Sequence, residues 1–397
     1  MARGEIFTAG VEGIAAGGAG IARLDGRIIF LEMTAPGDRV CFSIKKEHKN
    51  WAEGELLEIM EASTSREDPV CPLYGRCGGC TLQHLNYEAQ IEAKTAILCD
   101  SFRRIGGLTP SETPALKASE IRVSRSEPFE YRNRVQFHRI DERRVGFRER
   151  KSHRLVALDD CPIAESNIRK ALKEAKLISP LNRDRFTVFS RGNTFLSERG
   201  EQRGKVSVMG KELAVDAGVF FQSNAAMLEL LIPDLEAAAS GADRELAMAD
   251  IYCGVGTFAA FLGEEFSGID LIEENKNALA LARENVRGKK VNFYPLSDTD
   301  WIKSQKKDTA KNSWGFMVLD PPRDGLSRPL CEWLAHNGPE LAAYVSCDPA
   351  TLARDARILS NGGYTLEQLT LYDFYPQTAH IESLAIFKRT KEVPSET

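Results

Sequence analysis

The second half of the chain predicts an α/β fold, a Rossmann-like sheet wound with helices on both faces, and three observations carry that prediction. From about residue 216, the apolar runs "LAMADIYC", "FSGIDL", "VNFYPL", "GFMVLD", "AAYVSC" and "ESLAIFKR" recur with helical segments such as "EENKNALALARENVRG" and "PATLARDARILS" between them. Strands alternating with helices are the pattern of a parallel sheet covered on both sides. The first run passes into a Gly-x-Gly turn, Gly254 and Gly256, and then a helix. Two later runs end at Asp320 and Cys347, which the fold would place at the carboxyl edge of the sheet, where open α/β sheets bind ligands.

Two smaller units precede this domain. In residues 1–62 the short alternating runs "GRIIFLEM" and "DRVCFSIKK", with the glycine-rich turn "AAGGAGIARLDG", predict a small β-barrel. Residues 63–215 open with a cysteine-rich segment, continue through a helical stretch, "LNYEAQIEAKTAILCDSFRRIGG", and become strand-rich and basic. The tail "TKEVPSET" reads as frayed. A chain of 397 residues is long for one core, so three domains are in proportion.

With 43% hydrophobic and 27% charged residues the composition is that of a soluble globular protein, and no run approaches the length of a membrane helix. The first twenty residues lack the apolar core of a signal peptide, so the expected location is cytoplasmic and the nine cysteines are expected to stay reduced. A net charge of −5 argues against indiscriminate coating of nucleic acid. It leaves room for a local basic face, because binding follows charge distribution. From Ile121 to Arg154 there are eleven Lys/Arg against five Asp/Glu, interleaved with Phe129, Tyr131, Phe137 and Phe147. Arginines that pair with phosphates beside aromatics that accept unstacked bases suit single-stranded RNA. The plainer alternative is a solvated strand face.

Cysteines are the sharpest local signal. "CPLYGRCGGC" places Cys71, Cys77 and Cys80 together, and "DDCP" adds Cys161. Thiolates select zinc or iron–sulfur clusters. Structural zinc usually takes two short Cys pairs, whereas a trio plus a Cys-Pro is closer to a four-iron cluster, although ferredoxin spacing is tighter. Four unrelated buried thiols are the alternative. At the Gly-x-Gly turn the full six-position dinucleotide fingerprint is missing, and no Lys-Ser/Thr follows to cradle phosphates. With Asp250, Asp270 in the next run and "LDPPRDGL", the set points to S-adenosylmethionine. Cys253, within the turn, reads as packing.

Cys347 is the remaining puzzle. A buried cysteine is usually a small apolar residue, but one raised to a sheet edge can serve as a nucleophile. Carbon 5 of uracil becomes reactive toward an electrophilic methyl once a thiolate has added to carbon 6, and a base must then remove the carbon-5 proton. Glu382, after His380 at the mouth of the last strand, is the candidate base if burial raises its pKa; as a solvated charge it would do nothing. Arg323 follows the two prolines where amine-modifying enzymes place an aromatic residue.

The segments "CPLYGRCGGC", "DDCP", "FFQSN", "DIYCGVGTF", "LDPPRDG", "YVSCDPATLARD" and "HIES" together resemble the RNA 5-methyluridine methyltransferase family, in particular its iron–sulfur branch acting on 23S ribosomal RNA. The resemblance implies that Cys71, Cys77, Cys80 and Cys161 hold a 4Fe-4S cluster. It also implies that Gln222, Tyr252, Asp270 and Asp320 line the S-adenosyl-L-methionine site, with Cys347 as nucleophile and Glu382 as base. It further implies a TRAM-type oligonucleotide-binding barrel at residues 1–62, and a catalytic domain at 216–397 that recruits residues 85–118. The expected partner is RNA with an extruded uridine, and the expected state a monomer. Asp270 stands where glutamate is frequent, Thr257 where some members have Asn, and Ser383 where Thr is common. Uracil-5 methylation of tRNA, cytosine-5 methylation and a noncatalytic RNA-binding or assembly role are the competing readings.

Overall fold

The computed structural model describes residues 5–111, 113–117, 120–141, 144–177, 184–305 and 314–389; the tail expected to fray lies outside them. Five strands between Ile6 and Glu61 form a closed barrel. Alternation explains its core, since Val40, Phe42 and Ile44 on one strand point inward with Ile29 and Leu31 on another. Gly54 has to be glycine here: a Cβ would stand 2.4 Å from Leu31 Cδ2.

The basic region forms a five-stranded sheet in the order Thr194–Ser197, Arg185–Arg191, Arg134–Arg139, Val145–Arg148, Leu155–Ala157. A separate hairpin, Arg203–Val208 with Lys211–Asp216, buries Val206, Val208 and Leu213 in the core of the C-terminal sheet. The hairpin therefore bridges the domain that follows it and the strands before it, since Phe189 and Leu196 share the same core and the Thr194 hydroxyl donates to the Lys205 carbonyl.

The C-terminal sheet has eight strands, in the order Val291–Tyr294, Ile269–Ile272, Ala247–Ile251, Trp314–Leu319, Leu341–Ser346, Glu382–Arg389, Tyr364–Tyr372, Arg122–Ser124. The first five run parallel, and Glu382–Arg389 lies antiparallel between its two neighbours. The six apolar runs read from the sequence are all strands of this sheet. Tyr364–Tyr372 escapes pattern reading because a bulge between Leu366 and Gln368 breaks its alternation.

The helical stretch spans Tyr87–Ser101, capped by Asn86, whose side chain accepts from the Ala89 amide. It buries Ala89, Ala93, Ile97 and Leu98 against the face of the C-terminal sheet that carries Ala249, Ile251, Ala342 and Tyr344. One charge goes in with it. Lys94 and Asp373 are fully buried, with Nζ 2.5 Å from Oδ1. No helix among the described residues is long and apolar enough to cross a membrane.

Removing one partner of a buried pair leaves the other charge uncompensated. Lys94→Met is therefore expected to cost roughly 3–5 kcal/mol in denaturant unfolding. The double variant Lys94→Met/Asp373→Leu should recover most of that loss.

Candidate active site

The strand Ala247–Ile251 ends in a turn whose backbone is bent back on the sheet. Tyr252, Gly254 and Gly256 all have positive φ (65°, 55° and 77°), and the amides of Tyr252 and Cys253 both donate to the Ile272 carbonyl. A Cβ on Gly256 would stand 2.7 Å from Val286 Cγ2 and 3.1 Å from Ala282 Cβ, so the close approach of the C-terminal end of the helix Lys276–Asn285 fixes this glycine. Asp250, fully buried behind the turn, accepts from the Ala259 amide, and burial pushes its carboxyl up to about 8.

The turn opens onto a cavity of about 690 Å³ at the carboxyl edge of the sheet. Gln222, Tyr252, Asp320, Cys347 and Glu382 all line it, as do Arg132, Arg323, Tyr375 and His380. Cys253 lines it too and is buried. Tyr252 donates its hydroxyl to Asp298 Oδ2 at 2.7 Å, and the Gln222 amide reaches Asp320 Oδ2 at 3.5 Å.

Asp270 is the exception. It sits inside the strand Ile269–Ile272, where its Oδ1 accepts from Asn292 and its Oδ2 from the Trp314 indole, both at 2.8 Å, and it does not line the cavity. From this strand end the carboxylates that line the cavity are Glu273, the first residue beyond the strand, and Glu274. Glu273 Oε2 accepts from the Gly254 amide at 3.0 Å and its Oε1 from the Asn275 amide at 2.6 Å. A signal for it exists in the sequence. The apolar run "FSGIDLI" continues two residues past Asp270, and ligand carboxylates stand beyond a strand's end rather than within it. Asp298 had no sequence signal, because it follows an irregular connection.

Cys347 and Glu382 meet because of strand register. Ser346 pairs with Ser383 across the antiparallel step, which sets the next residues, Cys347 and Glu382, opposite each other. Beyond Cys347, Asp348 caps the helix Pro349–Asn361 by accepting from the Ala350 and Thr351 amides, which fixes the backbone carrying the thiol. Glu382 is only 5% exposed. Burial first, and Asp320 second, hold its carboxyl well above the usual range, while Arg323 pulls it down. Burial, then the Glu382 and Asp320 carboxylates, push the Cys347 thiol up to about 12, again against Arg323. His380, within 3.3 Å of the Arg323 guanidinium, is lowered to about 4 by burial and neighbouring cations and is neutral.

Cys71, Cys77, Cys80 and Cys161 line one small pocket with Val135, Phe147, Leu158 and Ile163. Among the described residues no three His, Cys, Asp or Glu are arranged to hold a single metal ion. The four sulfurs surround a pocket rather than a point. Burial raises Cys80 to about 12 and Cys161 to about 11, and the cysteines raise one another. Four cysteines lining one small, largely apolar pocket are a donor set that suits a multivalent cationic centre.

A third, open cavity of about 600 Å³ is lined by Arg132, His138, Phe147, Arg148, Arg150 and Lys151, and Arg132 lines all three cavities. Much of the basic excess is spent internally. Arg122 pairs with Asp234, Arg125 with Glu88, and Arg150 and Lys151 with Glu32. Of the four aromatics, Phe137 and Tyr131 are buried in the core, Phe129 packs against it, and Phe147 alone reaches the open groove.

Comparison with known proteins extends this picture. Residues 188–390 match the family described as tRNA (Uracil-5-)-methyltransferase, and residues 2–57 match the TRAM domain, which is the five-stranded barrel. An uncharacterized RNA methyltransferase of Treponema denticola is 36% identical over 92% of this chain and 94% of its own. The 23S rRNA (uracil(1939)-C(5))-methyltransferase RlmD of Pseudomonas entomophila is 29% identical over 95% and 92%. The Pyrococcus abyssi tRNA (uracil-54, C5)-methyltransferase, solved with S-adenosyl-L-homocysteine, shares the fold. Its TM-score is 0.71 at 22% identity, covering 96% of this chain and 100% of that one.

The exchange of Asp270 for Glu273 has a measurable form. Glu273→Gln should weaken binding of S-adenosyl-L-homocysteine, read by calorimetry, by about tenfold, the scale of one hydrogen bond to a charged group. Asp270→Asn should lower thermal stability and leave that affinity unchanged.

Proposed function

This chain belongs to the tRNA (uracil-5-)-methyltransferase family, and we propose that it methylates carbon 5 of a uridine in 23S ribosomal RNA through a transient bond between Cys347 and carbon 6 of the ring. The observation that carries this reading is the juxtaposition of Cys347 and Glu382 at one cavity edge, set by the pairing of Ser346 with Ser383. S-adenosylmethionine, when bound, would supply a methyl group as an electrophile, its S–CH3 bond breaking to leave neutral S-adenosylhomocysteine; Gln222, Tyr252, Glu273 and Asp320 are the residues that would hold it. The Cys347 thiolate adds to carbon 6, and the electron pair moves to carbon 5, which takes the methyl group. Glu382 then accepts the carbon-5 proton, and the electrons released re-form the ring double bond and expel the thiolate. Asp320 and Arg323 bracket the pair electrostatically. Tyr375 and the neutral His380 wall the cavity beside it.

The target base must leave its stack to reach both groups. The groove containing Arg148 and Phe147 meets the catalytic cavity at Arg132, so an RNA strand lying there would deliver a flipped nucleotide to Cys347. Cys71, Cys77, Cys80 and Cys161 are read as the ligands of a 4Fe-4S cluster, one thiolate at each corner, whose part is to hold the RNA-binding domain together. Ribosomal rather than transfer RNA is the reading favoured by the likeness, at nearly full length, to the Pseudomonas entomophila enzyme. Mapping 5-methyluridine in both RNAs from cells with and without the gene tests it; loss from transfer RNA alone would assign the other substrate.

Two predictions test the chemistry. RNA carrying 5-fluorouridine should form a denaturation-resistant adduct with the parent protein and none with Cys347→Ala, as seen on a denaturing gel. Both Cys347 and Glu382 must be deprotonated to act, so activity rises with pH, and the positive charge of Arg323 lowers both groups. Arg323→Gln should move the rising limb of the kcat/KM profile to higher pH, by roughly one unit.

A further inference from the structure

Glu382 is delivered by a connection, residues 373–381, that reaches from the strand Tyr364–Tyr372 back to the mouth of Glu382–Arg389. Its backbone is unusual at Gln377, a non-glycine residue at φ 67°. Such a conformation persists where the surroundings over-determine it. The surroundings come from outside the catalytic sheet. Lys94 donates to the Tyr375 carbonyl at 3.0 Å, and Tyr131 donates its hydroxyl to the Pro376 carbonyl at 2.8 Å. Gln90 and Gln377 bond twice: the Gln377 amide donates to Gln90 Oε1 at 2.8 Å, and Gln90 Nε2 donates to Gln377 Oε1 at 3.1 Å.

The cysteine-bearing loop completes the grip. The amides of Thr81 and Leu82, directly after Cys80, both donate to the Gln377 carbonyl at 3.0 Å. The Thr81 hydroxyl accepts from the Ala379 amide at 2.9 Å, three residues before Glu382. Gly18 of the barrel closes over the same point. A Cβ there would stand 3.0 Å from Thr81 Cβ and 3.4 Å from Ala379 Cβ, so barrel, cysteine loop and catalytic domain meet at Thr81.

We infer that Thr81 is a positioning residue for Glu382, its hydroxyl and amide being the means by which the cysteine-bearing loop sets the base in the cavity. The inference rests on the reading of Glu382 as the base. It separates the base from the nucleophile, because Cys347 is fixed independently by the helix that Asp348 caps. Misplacing the connection should therefore slow proton removal and spare formation of the carbon-6 bond. It also means that whatever anchors Cys80 steadies the catalytic base, without any step of the reaction passing through the cysteines.

The test uses the full-length protein as Thr81→Val, which keeps the shape and loses the hydroxyl, and Thr81→Ser, which keeps the hydroxyl and loses the methyl. The RNA is 23S ribosomal RNA from cells lacking the gene, and the same RNA transcribed with 5-fluorouridine. Thr81→Val should lower kcat about tenfold at unchanged KM and accumulate a denaturation-resistant complex on ordinary RNA. Hydrogen exchange across residues 375–381 should quicken in this variant. Its adduct with fluorinated RNA should form at the parent rate, because carbon 5 there carries no proton to remove. Thr81→Ser should match the parent in each respect. Parent-like turnover by Thr81→Val, equal slowing of both variants, or slower fluoro-adduct formation in Thr81→Val would overturn the inference alone. No adduct with the parent protein would instead overturn the uracil-5 reading, and this inference with it.

Discussion

One strand pairing organises the catalytic edge. Glu382–Arg389 enters an otherwise parallel run in the opposite direction, so its first residue lies beside the last residues of Leu341–Ser346. In a wholly parallel sheet the two would stand at opposite ends, and a thiol leaving one strand could not face a carboxyl entering the next. The reversal needs the connection through residues 373–381, and that connection is held by the cysteine-bearing loop, the helix Tyr87–Ser101 and Tyr131. Local geometry at Glu382 thus depends on parts of the chain far from it in sequence.

The electrostatics of the cavity follow from the same arrangement. Three carboxyls lie close to the carboxyl edge, Asp250 and Glu382 buried and Asp320 half-buried, and desolvation raises all three. Desolvation disfavours each negative charge, so the site is poised to gain from a cation placed among them. A sulfonium-bearing ligand has that character. Arg323 supplies a standing positive charge that acts on Cys347, Glu382 and His380. The thiol and the candidate base therefore feel opposing influences, Asp320 raising both groups and Arg323 lowering both.

Much of this was legible in the sequence, and the failures have physical causes. Apolar runs locate strands well where both faces are buried, as in Leu341–Ser346, every residue of which is buried. They fail at Tyr364–Tyr372, where a bulge shifts the alternation. Residues at strand ends are visible only if the end is placed correctly: ending the strand at Asp270 puts that residue at the cavity, where the structure has Glu273. Cys347 escaped that error because Asp348-Pro349 marks a helix start immediately after it. Composition misleads most over the basic segment. Eleven cations look like an RNA face, yet several are engaged with carboxylates on other elements, and two of the four aromatics are buried core. Sequence reports how many charges there are, and only the fold reports which remain free.

The helix Tyr87–Ser101 and the strand Arg122–Ser124 are both early in the chain, yet they complete a sheet whose other strands come last. During synthesis on the ribosome these segments emerge long before their partners, with an apolar helix face and an open strand edge awaiting cover. The barrel can close at once, whereas the catalytic domain cannot be finished until residues 364–389 have left the exit tunnel. A fragment beginning at residue 188, where the family match starts, would for the same reason be an incomplete folding unit. Its sheet would lack an edge strand and the helix that seals one face.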